Sequence, residues 1–493
     1  MTVCIADLMN DCGVRFGTSG ARGLVSAMTD RVCYAYTRAF LQMLIDRGEA
    51  SQNLQVALAG DRRSSSPRIM NAVAQAAFDL GFDVINGGLV PSPAIAMYGL
   101  NHRIPSIMVT GSHIPDDRNG IKFNKTTGEI LKSDEAAMLA QVVDIPEQFS
   151  PDGSLLIEGA LGRAKAEPLV AVSYVQRWLD AFKSSTLKGK KIVVYGHSAV
   201  GRDILVEVMG ALGADVVRAN WSETFVPVDT EAIRDEDVKL ARELAKQHSP
   251  FAIVSTDGDS DRPLISDENG EWLRGDVLGV LVASWLKADA VVTPVSCNTV
   301  VERVGKFKSV VRTRIGSPYV IAGMCDAVAE GLRRVVGYEA NGGFLTATDM
   351  ELPWGAVLPA LPTRDAIIAQ LAVMVAAIER NVPISRLVAS LPPRFTASDR
   401  LQSFSSTLSQ SHLEELATGG NSMIDEFLGD LIGKVINIDT TDGVRIVGDT
   451  GEIVHLRGSG NAPELRCYAE ASTPERARML TVQALACCAS WRD

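Results

Sequence analysis

Apolar and polar positions along the first two thirds of the chain switch repeatedly between the period of a strand and that of a helix. Gln55-Val56-Ala57-Leu58-Ala59-Gly60 predicts a strand, and Asp61-Arg62-Arg63 stands at its end. Ser66-Pro67 opens a helix running toward Leu80, with proline at an early helical position. Gly81–Asn86 and Ser106–Thr110 predict the next strands. The alternation then recurs. Lys190–Tyr195 is a strand, Arg202–Leu212 a helix, Ala214–Val217 a strand, and Phe251–Thr256 a strand that runs into an aspartate-rich loop. A third round starts with a helix at Gly275, continues with a strand over Ala290–Pro294, and ends on Arg333–Gly337. Strand and helix in alternation predict α/β units built on mixed sheets. The repetition is one of architecture and not of sequence.

The pattern changes after a helix at Arg364–Glu379. Leu391-Pro392-Pro393-Arg394 reads as a linker. Beyond it Lys434–Ile438 and Gly443–Val447 are strands, and a last helix starts near Thr473-Pro474-Glu475. The predicted organisation is three related α/β domains over 1–155, 156–265 and 266–390, with a smaller α+β domain over 391–493. A chain of 493 residues exceeds what one hydrophobic core normally supports.

Composition narrows the function classes. The net charge of −11 argues against wholesale binding of nucleic acid. An acidic protein that handles anions must gather its cations locally, and Arg22, Arg262, Arg457 and Arg466 all lie in Gly-rich loops. The eight cysteines form no C-x-x-C pair and no zinc-like spacing, which predicts buried, reduced thiols in a cytoplasmic protein. No apolar run is long enough to span a bilayer, and the first residues carry no export signal.

The candidate chemistry sits at predicted strand ends, where α/β sheets bind ligands. Val109-Thr110-Gly111-Ser112-His113-Ile114-Pro115 presents a serine on a turn, as a nucleophile or phosphate carrier or as a plain turn serine. His113 is adjacent in sequence, and neighbouring side chains usually diverge, which argues against a Ser112–His113 pair. Lys122, after the Asn119-Gly120 turn, reads as a lysine reaching back toward Ser112, as proton shuttle or phosphate partner, or as a solvated surface lysine. Asp257-Gly258-Asp259-Ser260-Asp261-Arg262 spaces three carboxylates by two, with Gly258 expected to let the backbone turn; they suit one Mg²⁺. A solvated acidic turn or a Ca²⁺ loop are the rival readings, though Asp257 follows a strand and not a helix. Gly337–Phe344 sets Glu339 and Asn341 among glycines, as sugar-hydroxyl ligands or as a Gly-rich turn. Arg457-Gly458-Ser459-Gly460-Asn461 combines guanidinium, hydroxyl and free N–H groups in the manner of a phosphate site; a surface arginine loop is the rival reading, weakened by Arg466 nearby.

These four loops, in this order, resemble the α-D-phosphohexomutase family over essentially the whole chain, which implies three related α/β domains and a C-terminal domain around a central cleft. The likeness begins at Phe16-Gly17-Thr18-Ser19-Gly20-Ala21-Arg22-Gly23, similar to the family's N-terminal arginine motif. The resemblance implies that Ser112 carries a phosphoryl group and, with Asp257, Asp259 and Asp261, contributes to the Mg²⁺ site. It implies that Arg22, Lys122 and His113 serve the phosphoserine. Glu339, Asn341, Arg262 and Gly316 would contact the sugar, and Arg457, Ser459, Gly460, Asn461 and Arg466 would grip its phosphate. Ile114 stands where asparagine is usual, Ser260 where glycine or alanine is common, and Asn341 and Gly343 where serine and histidine are frequent.

The resemblance implies interconversion of mannose 6-phosphate and mannose 1-phosphate through hexose 1,6-bisphosphate, by a monomer or weak homodimer acting on a small phosphosugar, with no nucleic-acid or membrane partner. A phosphoglucomutase or dual-specificity enzyme is the nearest alternative. A metal-dependent phosphatase with Asp257 as nucleophile, or a non-catalytic sugar-phosphate binder, stand further off.

Overall fold

A computed structural model describes residues 1–17, 20–50, 53–156, 159–459 and 464–492, without the side chains of Asp430 and Arg492. Three of its sheets share one arrangement. In the first, Asp83–Leu89, Gln55–Gly60, Ser106–Val109 and Arg118–Lys125 lie side by side. The first three are parallel and the last is antiparallel. Asp215–Trp221, Lys191–His197, Ala252–Thr256 and Pro263–Ile265 repeat that order and those directions. So do Ser309–Thr313, Ala290–Pro294, Val335–Tyr338 and Phe344–Thr346. In each sheet the third strand turns back into the fourth through a short connection. The Ser112, Asp257 and Glu339 loops are those three connections, so equivalent ends of three repeats carry the candidate chemistry.

The first sheet extends at both edges. Ala21–Leu24 pairs antiparallel with Arg118–Lys125, which places Arg22 opposite Gly120. At the other edge the short strand Lys165–Ala166, beyond the expected domain end at 155, pairs parallel with Asp83–Leu89. The C-terminal unit is a five-stranded antiparallel sheet, in the order Phe395–Gln402, Glu464–Ala471, Ile453–Gly458, Val444–Gly448, Val435–Asp439. Helices Ser406–Leu428 and Pro474–Ala489 accompany it.

The core is less partitioned than chain length suggests. One buried apolar cluster runs from Ala57 and Tyr98 through Val194 and Val254 to Val291 and Leu371, across all three α/β units. Helix Ala366–Glu379 is the reason. Apart from Gln370 it is apolar on every face until its last residue, and it is buried along most of its length, as expected of a helix enclosed on every side. Gln370 on it donates to the carbonyls of Ser255 and Leu264 in the second sheet. The C-terminal unit keeps its own core, built on Leu413, Ile446, Leu465 and Leu480.

The expected linker is anchored. Arg394 is buried and ion-paired to Glu470, whose carboxylate also accepts from Thr299 N at 3.0 Å. All eight cysteines are free; four are buried, but Cys325 is exposed, contrary to uniformly buried thiols. Among the described residues no helix is long and apolar enough to cross a membrane.

Candidate active site

Ser112 follows the strand Ser106–Val109 and is fully buried, with a left-handed backbone at φ 55°. Thr110 Oγ1 accepts its N–H at 2.7 Å. The same left-handed turn corrects the expectation that Ser112 and His113 diverge. It rotates successive side chains to one side, and Ser112 Oγ lies 3.3 Å from His113 Nδ1. That nitrogen also receives Arg262 Nη1 at 2.7 Å, so it is the unprotonated nitrogen of a neutral ring. Burial, and then Arg262, depress the His113 pKa to about 3. The serine hydroxyl donates to Asp257 Oδ2 at 2.6 Å.

The aspartate loop converges as expected. Asp257, Asp259 and Asp261 are buried, and each offers a carboxylate oxygen within 4.8 Å of the others. Asp259 Oδ1 and Asp261 Oδ1 are buried without a hydrogen-bond partner among the described residues. Two orphaned carboxylate oxygens in a cluster of three acids fit a hard divalent cation that takes oxygen ligands. Burial, with Asp259 and Asp261 close by, pushes the Asp257 carboxyl well up. Burial would also raise Asp261, but Arg364, Lys122 and Arg262 hold it below the usual carboxylate range.

Gly258 works differently from the expectation. The left-handed residue of this loop is Ser260, at φ 60°. Its hydroxyl is bound to Gly201 N and Thr256 Oγ1, both at 2.9 Å, which accounts for a serine in that strained conformation. At Gly258 a Cβ would lie 2.7 Å from the carbonyl oxygen of Ser112. The missing side chain is what lets the metal loop and the serine loop touch.

Lys122, on the strand beside Ser112, directs its ammonium to Asp259 Oδ2 and Asp261 Oδ2, each at 2.6 Å. It therefore reaches the aspartates that surround the serine. Arg22 Nε is buried without a hydrogen-bond partner among the described residues. Burial, and then the neighbouring Arg262 and Arg364, lower its pKa to about 10. Mutually repelling cations packed beside a buried serine make a site complementary to an anion.

In the third connection, Glu339 is buried and its Oε2 accepts from Arg364 Nη1 at 3.3 Å. Asn341 Oδ1 accepts from Gly343 N at 2.9 Å, so this oxygen shapes the turn itself. Gly316, at φ 133°, precedes the helix Ser317–Ala329. Arg457 sits on the strand Ile453–Gly458 and donates to Asp442 Oδ1 at 3.2 Å, while Ser459 N donates to Glu464 O at 2.8 Å. Arg466 pairs with Glu464 at 3.1 Å. Gly460 and Asn461 lie outside the described residues. Burial and Asp229 raise Glu231, and Arg274, Arg262 and Arg466 pull it back.

Four contributors were not singled out from sequence. Arg63 grips the serine loop. Ser92 supports the metal loop, its N–H donating to Asp259 O at 2.9 Å. Arg364 and Glu129 join the three α/β units. The charged run Asp61-Arg62-Arg63 at a strand's carboxyl end, and Arg364-Asp365 before a nearly all-apolar helix, were the available signals.

Family models agree with this order of units. Phosphoglucomutase/phosphomannomutase α/β/α domains I, II and III match residues 13–148, 172–270 and 274–395, and the C-terminal domain matches 408–486. A phosphomannomutase of Salmonella muenchen is 43% identical over 471 residues, covering 96% of this chain and 95% of that protein. One from Sinorhizobium fredii is 42% identical over 475 residues, covering 96% and 98%. The crystal structure of a phosphoglucomutase/phosphomannomutase family protein from Burkholderia thailandensis superposes with a TM-score of 0.73 at 18% identity, covering 96% and 97%. With four family domains in sequence, relatives matched end to end, and three equivalent strand connections converging on one buried serine and three aspartates, the chain belongs to the α-D-phosphohexomutase family.

Proposed function

We propose that the chain is a phosphomannomutase, interconverting mannose 6-phosphate and mannose 1-phosphate with Ser112 as phosphoryl carrier. The observation that carries this reading is the buried Ser112 hydroxyl bonded to Asp257 in the aspartate cluster, with Arg22, Lys122 and Arg262 around it. Full-length identity above 40% to phosphomannomutases supports mannose as the sugar.

In the first half-reaction the free hydroxyl oxygen of the monophosphate attacks phosphorus on phosphoserine 112. The P–Oγ bond breaks, a new P–O bond forms on the sugar, and the proton lost by the sugar hydroxyl is balanced by one taken up on Ser112 Oγ. The product is hexose 1,6-bisphosphate. After the sugar reorients, Ser112 Oγ takes the other phosphoryl group and the second monophosphate leaves. Asp257, Asp259 and Asp261 would hold Mg²⁺, which supplies charge neutralisation for the transferring phosphoryl group. Arg22 and Arg262 bind its oxygens, and the Lys122 ammonium, held by Asp259 and Asp261, supplies the proton that Ser112 Oγ takes up. His113, neutral and hydrogen-bonded to Arg262, orients that guanidinium. Glu339 accepts from sugar hydroxyls, while Arg457, Ser459, Asn461 and Arg466 hold the phosphate that is not transferred. A cleft that excludes water protects the phosphoserine from hydrolysis.

Coupled assays with mannose 1-phosphate and glucose 1-phosphate, primed with hexose 1,6-bisphosphate, test the reading. Mannose 1-phosphate is expected to give the higher kcat/KM, and chelator is expected to abolish turnover. Ser112→Ala is expected to stay folded, lose phosphate incorporation at that residue and lose nearly all turnover. Net release of inorganic phosphate with Ser112→Ala unimpaired would instead establish a phosphatase.

A further inference from the structure

One buried guanidinium touches all three α/β units at their catalytic ends. Arg364 is 1% exposed. Its Nε donates to Asp261 Oδ2 at 2.9 Å and its Nη1 to Glu339 Oε2 at 3.3 Å, and its Nη2 lies 3.9 Å from Glu129 Oε1. Glu129 belongs to the first unit, Asp261 to the second and Glu339 to the third. The three carboxylates would repel one another if the cation were absent.

The backbone delivers Arg364 to that point. Leu361 and Thr346 exchange both N–H···O bonds, at 3.0 and 3.2 Å, and Asp365 N donates to Phe344 O at 2.9 Å. Residues 361–365 therefore run beside the strand that leaves the sugar loop. The side chain of Arg364 then lies across Gly343, where a Cβ would stand 2.6 Å from Arg364 Cδ and 2.8 Å from Cγ. Gly343 has no unusual backbone angle to explain it; the arginine stem needs the space.

We propose that Arg364 is a positioning residue, setting the sugar-facing Glu339 against the metal-loop Asp261 in space that Gly343 keeps open. The proposal rests on the mutase reading given above. A guanidinium does not exchange protons at working pH, so its contribution is fixed geometry and charge. Its planar fork spans two carboxylates at once, which the single ammonium of lysine does not reproduce. A shift of one ångström between the metal loop and the sugar loop misplaces the reacting hydroxyl, and such misplacement costs about 10²-fold in rate.

Four variants and one rescue experiment test this. Arg364→Lys is expected to lower kcat for mannose 1-phosphate by about 10²-fold with a smaller change in KM, and Arg364→Ala to lower it further. Guanidinium chloride at low concentration is expected to restore part of the Arg364→Ala activity, and urea, its neutral isostere, none. Gly343→Ala is expected to lower both the thermal midpoint and kcat, and to do so much less in the Arg364→Ala background, as coupled sites require. Wild-type kcat in Arg364→Lys, equal rescue by urea, or additive effects of Gly343→Ala and Arg364→Ala would each overturn the proposal. If Arg364→Ala fails to fold, Arg364→Lys and Gly343→Ala with Arg364→Lys carry the same decision. If the wild-type protein turns over no hexose phosphate, the mutase reading falls, while the thermal cycle still decides whether Gly343 and Arg364 are coupled.

Discussion

Replacing Arg63 should disorganise the serine loop more than any change to the exposed surface of the first unit. Arg63 is 1% exposed and ion-paired to the fully buried Asp61 at 3.2 Å. Its two terminal nitrogens donate to the carbonyls of Ser112 at 2.9 Å, Ile114 at 2.6 Å, Pro115 at 2.7 Å and Arg118 at 3.0 Å. The guanidinium also stacks on Phe225, 3.9 Å from its centroid, tying the loop to the second unit. Breaking a buried ion pair by removing one partner costs about 3–5 kcal/mol. Each carbonyl left buried without a donor adds about 1–3 kcal/mol unless water enters. The sum for Arg63→Met is therefore about 5 kcal/mol or more, comparable to the whole stability margin of a domain. Asp61 also accepts from Ser66 and Thr110, and Thr110 in turn accepts the Ser112 N–H, so the damage reaches the serine. Hydrogen exchange is the assay of choice, because a chain of several units need not unfold in one step. Residues 110–118 are expected to lose protection, and Ser112 to lose phosphate uptake from hexose 1,6-bisphosphate. Arg63→Lys, with three donors for five acceptors, should fall between. Wild-type protection over 110–118 in Arg63→Met would refute the assignment.

Two further predictions concern the C-terminal unit. Asp442 accepts from Arg457 Nε at 3.2 Å and from Ile315 N, beside Gly316, at 2.9 Å, so it ties the expected phosphate arginine to the third unit. Asp442→Ala should raise KM for both monophosphates about thirtyfold, as expected from two lost hydrogen bonds at about 1 kcal/mol each, and steady-state kinetics should show little further effect of Arg457→Ala on top of it. His455 is buried, with its ring bonded to Asp442 O at 2.6 Å, and burial lowers its pKa to about 4. An imidazole that binds its proton more weakly when folded leaves stability intact above the unfolded value of about 6.5 and erodes it as pH falls toward 4, by about 3 kcal/mol in all. Denaturant titrations of the wild type and His455→Asn between those limits should diverge in slope, and parallel slopes would refute the burial argument.

Much of the molecule was legible in its sequence. The strand and helix periods at Gln55–Gly60, Arg202–Ala211, Ala252–Thr256 and Ala290–Pro294 were legible because local burial alternates with the geometry of each element. The aspartate triad and the Ser112 turn were legible because their residues are close in sequence: carboxylates spaced by two and a serine at a strand end mark the chemistry within a few residues. Tertiary structure alone decided which distant groups complete them. Arg63 and Arg364 look like ordinary surface arginines until the fold buries them, one among the carbonyls of a loop that begins 49 residues away, the other among acids from three units. Gly258 and Gly343 read as turn glycines, yet each is small because another segment's atoms stand where a Cβ would be. Close approach between segments far apart in the chain leaves no period and no spacing behind. It depends on how the sheets stack, and that is settled only when the three units share one core.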